Sequence, residues 1–229
     1  METVLDIRGV CRRFGDRAAV TDATLALAAG RSLCLVGRNG AGKSTLLALA
    51  AGVLTPDSGA VLVCGRPVAH DPEARRPLGY MTDTPQVYEA LTGRENLTFF
   101  GRLCGASDLA ARVAAMLDQV GLSARADEPA GDYSAGMRRR LDLARVCLGR
   151  PRLLLLDEPA VSLDGDGRDA LARIVAEVRR EGGGVLLTAH QADDAAGLAD
   201  QCLTIEAGRL ADDAVATSDD PARRSGGHA

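Results

Sequence analysis

GRNGAGKST, residues 37–45, holds Lys43, the only lysine among 229 residues. Every other strongly basic side chain is arginine. Upstream, RSLCLV (31–36) is a short apolar run ending in Gly37, the pattern of a buried strand. Downstream, STLLALAAG (44–52) reads as a helix that stops at Gly52. Strand, glycine-rich loop and helix in that order form a phosphate-cradling arrangement. Gly37, Gly40 and Gly42 let the backbone curl so that successive N–H groups point inward, and the helix N-terminus adds its own donors. Lys43 brings a compact ammonium on a flexible stem to the β- and γ-phosphates, where arginine's flat fork fits less well. Ser44 offers a hydroxyl to Mg²⁺. The loop alone serves kinases, GTPases and ATPases equally, but the NKxD motif with which a GTPase reads its base is absent from the sequence.

The rest of the chain supplies the sheet around this loop. TVLDIRGV (3–10), TDATLALAAG (21–30), AVLVCG (60–65), RLLLLDEP (152–159) and GVLLTAH (184–190) read as strands, and CLTIEAGRLA (202–211) as a closing hairpin. GDGRDALARIVAEVRREG (165–182) reads as an amphipathic helix with Leu171, Ile174, Val175 and Val178 on one face, and DDAAGLAD (193–200) as a further helix. Residues 92–149 carry helical periodicity broken at Gly105, Gly121 and DEPAGD (127–132). Strands alternating with helices predict a mostly parallel sheet, and the helical block predicts a lobe inserted into it. The expected organisation is one domain over residues 1–216 and a disordered tail over 217–229, which is rich in Ser, Asp, Gly and Arg.

Composition narrows the function classes. Hydrophobic residues make up 46% of the chain, enough for a substantial core. The net charge of -4 argues against nucleic acid as a partner, and the run Arg138–Arg140 is expected to be a solvated helix face. The six cysteines, at 11, 34, 64, 104, 147 and 202, form no CxxC pair, so neither zinc nor a redox dithiol is signalled. Cys34, Cys147 and Cys202 lie in apolar runs and are expected to be buried. No apolar run approaches the ~20 residues a bilayer crossing needs, and no signal peptide precedes the first strand, so a soluble, cytoplasmic chain is expected.

Two carboxylates close the strand LLLLDEP. Asp157 and Glu158 fall where strand ends converge on a ligand crevice. Asp157 is the candidate Mg²⁺ ligand, and Glu158 the group that orients or deprotonates an attacking water, a role worth ~10²–10⁴ in rate. His190 ends another apolar strand on the same expected edge, placed to contact a γ-phosphate and hold Glu158 in line. His70 and His228 lie in loop-like or tail contexts and carry no such expectation.

With these motifs in hand, the chain resembles the ATP-binding subunit of an ABC transporter. GRNGAGKST matches that family's Walker A motif and LLLLDEP its Walker B motif. YSAGM (133–137) resembles the signature LSGGQ, AVSLD (160–164) the D-loop, and Ala189–His190 the switch histidine. Phe14 stands where the family places an aromatic under adenine. The motifs keep the expected order and cover about residues 3–211. The resemblance implies an α/β P-loop NTPase with a mostly parallel core, an antiparallel β subdomain and an inserted helical lobe. It further implies ATP and Mg²⁺ bound by Phe14, Gly37, Arg38, Asn39, Gly40, Ala41, Gly42, Lys43, Ser44 and Thr45. Ser134 and Gly136 would be offered by a second subunit in a head-to-tail dimer of this chain, or of this chain with a paralogue.

A separate membrane-spanning permease is implied as partner, with this subunit peripheral on the inner face of the cell membrane. The groove around Asp83, Thr84, Val87, Tyr88 and Leu91 is a candidate docking site. Tyr88 and Val87 read equally as partner contacts or as packing of the lobe. Three positions depart from the family pattern. Asp83 stands for the Q-loop glutamine and is a candidate for Mg²⁺ or the water. Ala135 and Met137 replace the commoner Gly and Gln of the signature, and Ser162 replaces a D-loop Gly. The signature variant and the acidic Q-loop look like the ABC-2 type exporter branch. A small-molecule kinase and a non-transport ABC ATPase are the alternatives, and they explain fewer of the motifs.

Overall fold

A computed structural model describes residues 2–211. Two sheets share the strands. The first is antiparallel: β1 (Thr3–Phe14) pairs with β2 (Arg17–Ala28) on one side and β4 (Ser58–Val63) on the other, and β4 carries the two-residue β5 (Arg66–Pro67). The second has the order β10-β9-β3-β8-β7-β6. Its strands β3 (Ser32–Val36), β6 (Leu78–Met81), β7 (Leu153–Leu156), β8 (Gly184–Ala189) and β9 (Gln201–Glu206) run parallel, and only β10 (Arg209–Leu210) is antiparallel.

The leucine run explains how β7, which lies between β8 and β6, faces two cores at once. Successive side chains of a strand point to opposite faces, so a strand covered on both faces must be apolar throughout. Leu153 and Leu155 enter one hydrophobic core with the antiparallel sheet and α1 (Lys43–Ala50). Leu154 and Leu156 enter a second core. That core also takes the apolar face of α5 (Gly165–Arg180) and much of α2 (Gly93–Leu103), α3 (Leu109–Gln119) and α4 (Ala135–Cys147). β3 repeats the division, with Leu33 and Leu35 on one side and Cys34 on the other. Leu171, Ile174, Val175 and Val178 are buried together on α5, and Cys34, Cys147 and Cys202 are buried as the sequence indicates.

Helices α2, α3 and α4 follow β6 and precede β7. α2 opens with a reciprocal capping box, in which Thr92 Oγ1 accepts from Glu95 N and Glu95 Oε2 accepts from Thr92 N. α4 is capped by Ser134, whose Oγ accepts from Met137 N at 3.2 Å.

The structure corrects four sequence expectations. DDAAGLAD forms a single 3₁₀ turn, Ala192–Ala195, because Gly197 takes φ 76° and ends any helical path. β1 and β2 extend to a tight turn at Gly15, through Arg12 and Arg13, whose charges hide the alternation. Strand β6 carries too few residues to declare itself, and position 79 admits only glycine, because a Cβ there would lie 2.6 Å from Val146 O. Arg138–Arg140 is not a solvated face: Arg139 is 3% exposed and points into the protein. The tail over residues 217–229 lies outside the described residues.

Candidate nucleotide site

The ends of β3, β7 and β8 meet at one edge of the sheet, and each delivers a functional segment. β3 ends at Val36 and enters the loop 37–42, which closes into α1 at Lys43. Two glycines there have no substitute. Gly42 takes φ 110°, and a Cβ on it would lie 2.4 Å from Ala19 O; a Cβ on Gly37 would lie 2.4 Å from Ile205 O. The loop is thus pressed against β2 and β9. Lys43 is 5% exposed, and its Nζ donates to Gly37 O at 2.6 Å.

A cleft of about 320 Å³ lies over this loop. Phe14 and Arg17 form one wall, residues 38–45 the floor, and Glu158 the far side. The Phe14 ring is half-exposed and carries the Arg12 guanidinium 5.0 Å from its centroid. Arg17 Nη2 donates to Gly40 O at 3.1 Å and so braces the loop from outside. A flat aromatic wall beside a glycine-rich loop that opens a helix suits a base with a polyphosphate tail.

β7 and β8 bring the acidic residues. Asp157 is buried, and its Oδ1 accepts from Thr188 Oγ1 at 2.6 Å. The same Thr188 oxygen accepts from Glu158 N at 2.9 Å. Glu158 takes φ 47°, a left-handed conformation in which non-glycine residues are uncommon and which collects at functional sites. That turn aims the carboxylate between two bases. Its Oε1 is 3.3 Å from Lys43 Nζ, and its Oε2 is 3.0 Å from His190 Nε2. Glu158 also borders a second cleft of about 250 Å³, shared with Ser162, Arg168 and His190.

One chain therefore gathers Phe14, residues 38–45, Glu158 and His190, with Asp157 behind them. Ser134 and Gly136 do not line this cleft. Ser134 caps α4 and Gly136 lies in its first turn, where a Cβ on Gly136 would lie 2.8 Å from Ser162 O. Asp83 is exposed at the end of β6 and is held through its carbonyl, which accepts from Arg139 Nη1 at 2.9 Å.

The donors near Lys43 fit Mg²⁺ in kind. Ser44 gives a hydroxyl on the first turn of α1 and Asp157 a carboxylate, all oxygen. Among the described residues no cluster of three or more His, Cys, Asp or Glu could hold a metal unaided. Mg²⁺ suits this arrangement because it is usually held by one or two protein groups and completes its shell with water and substrate phosphates.

Sequence reasoning missed three residues. Thr188 links the Asp157 carboxylate to the backbone N–H of Glu158 and was visible only as a hydroxyl two positions before His190. Arg17 stands three residues after Phe14, on the opposite strand of the hairpin. Arg139 was hidden inside a basic run.

The sequence profile described as "ABC transporter" matches residues 20–161. The chain belongs to the ABC transporter ATP-binding family. The Nod factor export ATP-binding protein I of Cupriavidus metallidurans is 36% identical over 212 residues, which is 91% of this chain and 70% of that protein. The daunorubicin resistance ATP-binding protein DrrA3 of Streptomyces coeruleorubidus is 36% identical over 229 residues, 99% of this chain and 72% of that protein. A solved ATP-binding subunit of an ABC transporter superposes with a TM-score of 0.87 at 29% identity, over 95% of this chain and 91% of that one. An ATP-binding cassette solved as a dimer with ADP and phosphate has the same fold, with a TM-score of 0.84 at 19% identity. This ABC protein binds ATP and hydrolyses it as the ATP-binding subunit of a transporter, and the kinase reading falls away. Among the described residues no helix is long and apolar enough to cross a membrane. Subunits of this family work with membrane-spanning partners.

Proposed function

We propose that the chain powers an exporter through a water-attack mechanism centred on Glu158. ATP enters the cleft with its base against Phe14 and its phosphates in the loop 37–42. Lys43 Nζ then leaves Gly37 O and neutralises the β- and γ-phosphates. Glu158 takes up the water that attacks the γ-phosphorus and accepts its proton, while the bond to the β–γ bridging oxygen breaks. His190 holds the Glu158 carboxylate and contacts the γ-phosphate. Ser44 and Asp157 would hold Mg²⁺, with Asp83 as a further candidate, and the ion would supply positive charge to the phosphate oxygens. The observation that carries this reading is the Glu158 carboxylate, placed within 3.3 Å of Lys43 Nζ and 3.0 Å of His190 Nε2.

The position of Ser134 and Gly136 outside the cleft supports their supply in trans. A second copy of this chain, or a paralogue, would bring its α4 N-terminus to the γ-phosphate in a head-to-tail dimer that closes on ATP and opens after hydrolysis. That motion would drive a separate permease, with this subunit docked peripherally on the inner face of the cell membrane. Export is the direction suggested by the Nod factor and daunorubicin relatives.

Purified Glu158→Gln, weighed in solution with and without Mg-ATP, tests the reading. A variant that binds ATP, turns it over at least ~10²-fold more slowly and passes from monomer to dimer only with ATP supports it. Wild-type turnover in that variant rejects Glu158 as the water-activating group.

A further inference from the structure

The guanidinium of Arg139 closes the ends of two neighbouring strands. Nη1 donates to Thr82 O at 2.5 Å and Asp83 O at 2.9 Å, just past β6. Nη2 donates to Asp157 O at 2.5 Å and Glu158 O at 2.8 Å, just past β7. β6 and β7 are paired up to Asp157 N, which donates to Met81 O at 2.9 Å. Beyond that bond Arg139 takes over as the link between them. A planar fork with fixed donor directions can span four carbonyls, and a lysine ammonium has neither the width nor the geometry.

The position of this fork gives it consequence. Arg139 lies on α4, five residues after the cap Ser134 and within the same rigid helix. Its Glu158 bond falls on the residue held at φ 47°, whose conformation must be enforced by neighbours. Thr188 holds the N–H of that residue and Arg139 its C=O. Burial works against the charged guanidinium, and the carboxylates of Asp142, Asp157, Asp83 and Glu158 offset it. Asp142, one turn further along α4, adds a parallel tie by accepting from Gln86 N at 3.2 Å and Arg145 Nε at 2.7 Å. A polar stripe on α4 therefore grips the segment 82–86 at two points and the catalytic turn at one.

We infer that Arg139 is a positioning residue for hydrolysis, which gears the signature helix to the backbone of Glu158 and to the Asp83 loop. Seating Ser134 and Gly136 on a γ-phosphate then sets the catalytic carboxylate in the same movement, and any displacement of residues 82–86 is felt at Glu158. The inference rests on the assignment of Glu158 as the group that activates water.

The test uses the full chain with Arg139→Gln, Arg139→Lys and Glu158→Gln, singly and with Arg139→Gln and Glu158→Gln combined. The readouts are Mg-ATP affinity, kcat, KM and thermal midpoint. Arg139→Gln and Arg139→Lys are each expected to lower kcat about tenfold or more, with ATP affinity and KM within about threefold of wild type, because misplacement and not binding is the defect. On the Glu158→Gln background, Arg139→Gln is expected to change the residual turnover by less than about twofold, because the two act through one group. Wild-type kcat in Arg139→Gln, rescue by Arg139→Lys, or an equal loss in the Glu158→Gln background would each overturn the inference. So would loss of folding in both Arg139 variants, which would make the residue purely structural. Undiminished turnover in Glu158→Gln alone would instead refute the assignment of Glu158.

Discussion

Glu158 and His190 face each other across 3.0 Å, Oε2 to Nε2, although 31 residues and a whole helix separate them in the chain. Parallel pairing of β7 with β8 places both at the same sheet edge, so the contact follows from strand register. The other oxygen of the same carboxylate is turned to Lys43. His190→Ala removes one of the two clamps and is expected to lower kcat by ~10²-fold while ATP affinity stays near wild type, as single-turnover and equilibrium-binding measurements would show.

The loop beneath is intolerant of side chains. Gly42→Ala must place a methyl 2.4 Å from Ala19 O at a φ of 110°, and backbone cannot yield there as a flexible side chain would. The strain is of order 1–3 kcal/mol if the loop keeps its shape, so the loop is expected to open instead. ATP binding by calorimetry should be lost, with a thermal midpoint lowered by only a few degrees.

Tyr88 is half-exposed, yet its ring is not isolated. It stacks on Phe100 at 5.7 Å and meets Phe99 edge-on at 5.3 Å, and Arg145 lies over Phe100 at 5.0 Å. The sequence offered partner contact and lobe packing as alternatives; the ring packs on Phe99 and Phe100 and still presents a half-exposed face. Tyr88→Ala is expected to cost about 0.5–1.5 kcal/mol of stability from the lost ring pairs. It should leave ATP affinity unchanged and abolish stimulation of the ATPase by the membrane partner. Lost ATP affinity would count against a docking role.

Asp142 is fully buried, and burial raises its carboxyl pKa, with Arg145, Gln86 N–H and Arg139 pulling the other way. A carboxyl raised in the folded state binds its proton more readily there than in the unfolded chain. Its contribution to stability is therefore greatest below the ordinary carboxylate range and declines as pH rises through the window up to the raised value. Asp142→Asn has no such titration. The midpoint of wild type minus that of the variant should fall as pH rises across this window, as a series of thermal melts would reveal.

Much of the site could be read from strand ends. Asp157 and Glu158 follow an unbroken run of leucines and His190 a run broken only by Thr188, and such runs become buried parallel strands whose ends share an edge. The loop at 37–45 announces itself through glycines, of which Gly37 and Gly42 leave no room for a Cβ and Gly40 and Gly42 take positive φ. The signals that failed were those written in short or charged segments. Four residues of β6 cannot show a period, and Arg12 and Arg13 mask the alternation of β1. The helix expected over 193–200 had the right composition and one glycine in the wrong place. Arg139 sits between two arginines of identical chemistry. Only the position of α4 against the ends of β6 and β7, a tertiary fact, sends it inward.

The burial of Lys43 has a practical corollary. The chain offers amine-directed reagents one side-chain target, and that amine is 5% exposed and engaged with Gly37 O. Acylation at this position therefore reports on the opening of a single loop. A time course of amine labelling with and without nucleotide would read occupancy of the cleft from one mass shift, with no engineered probe.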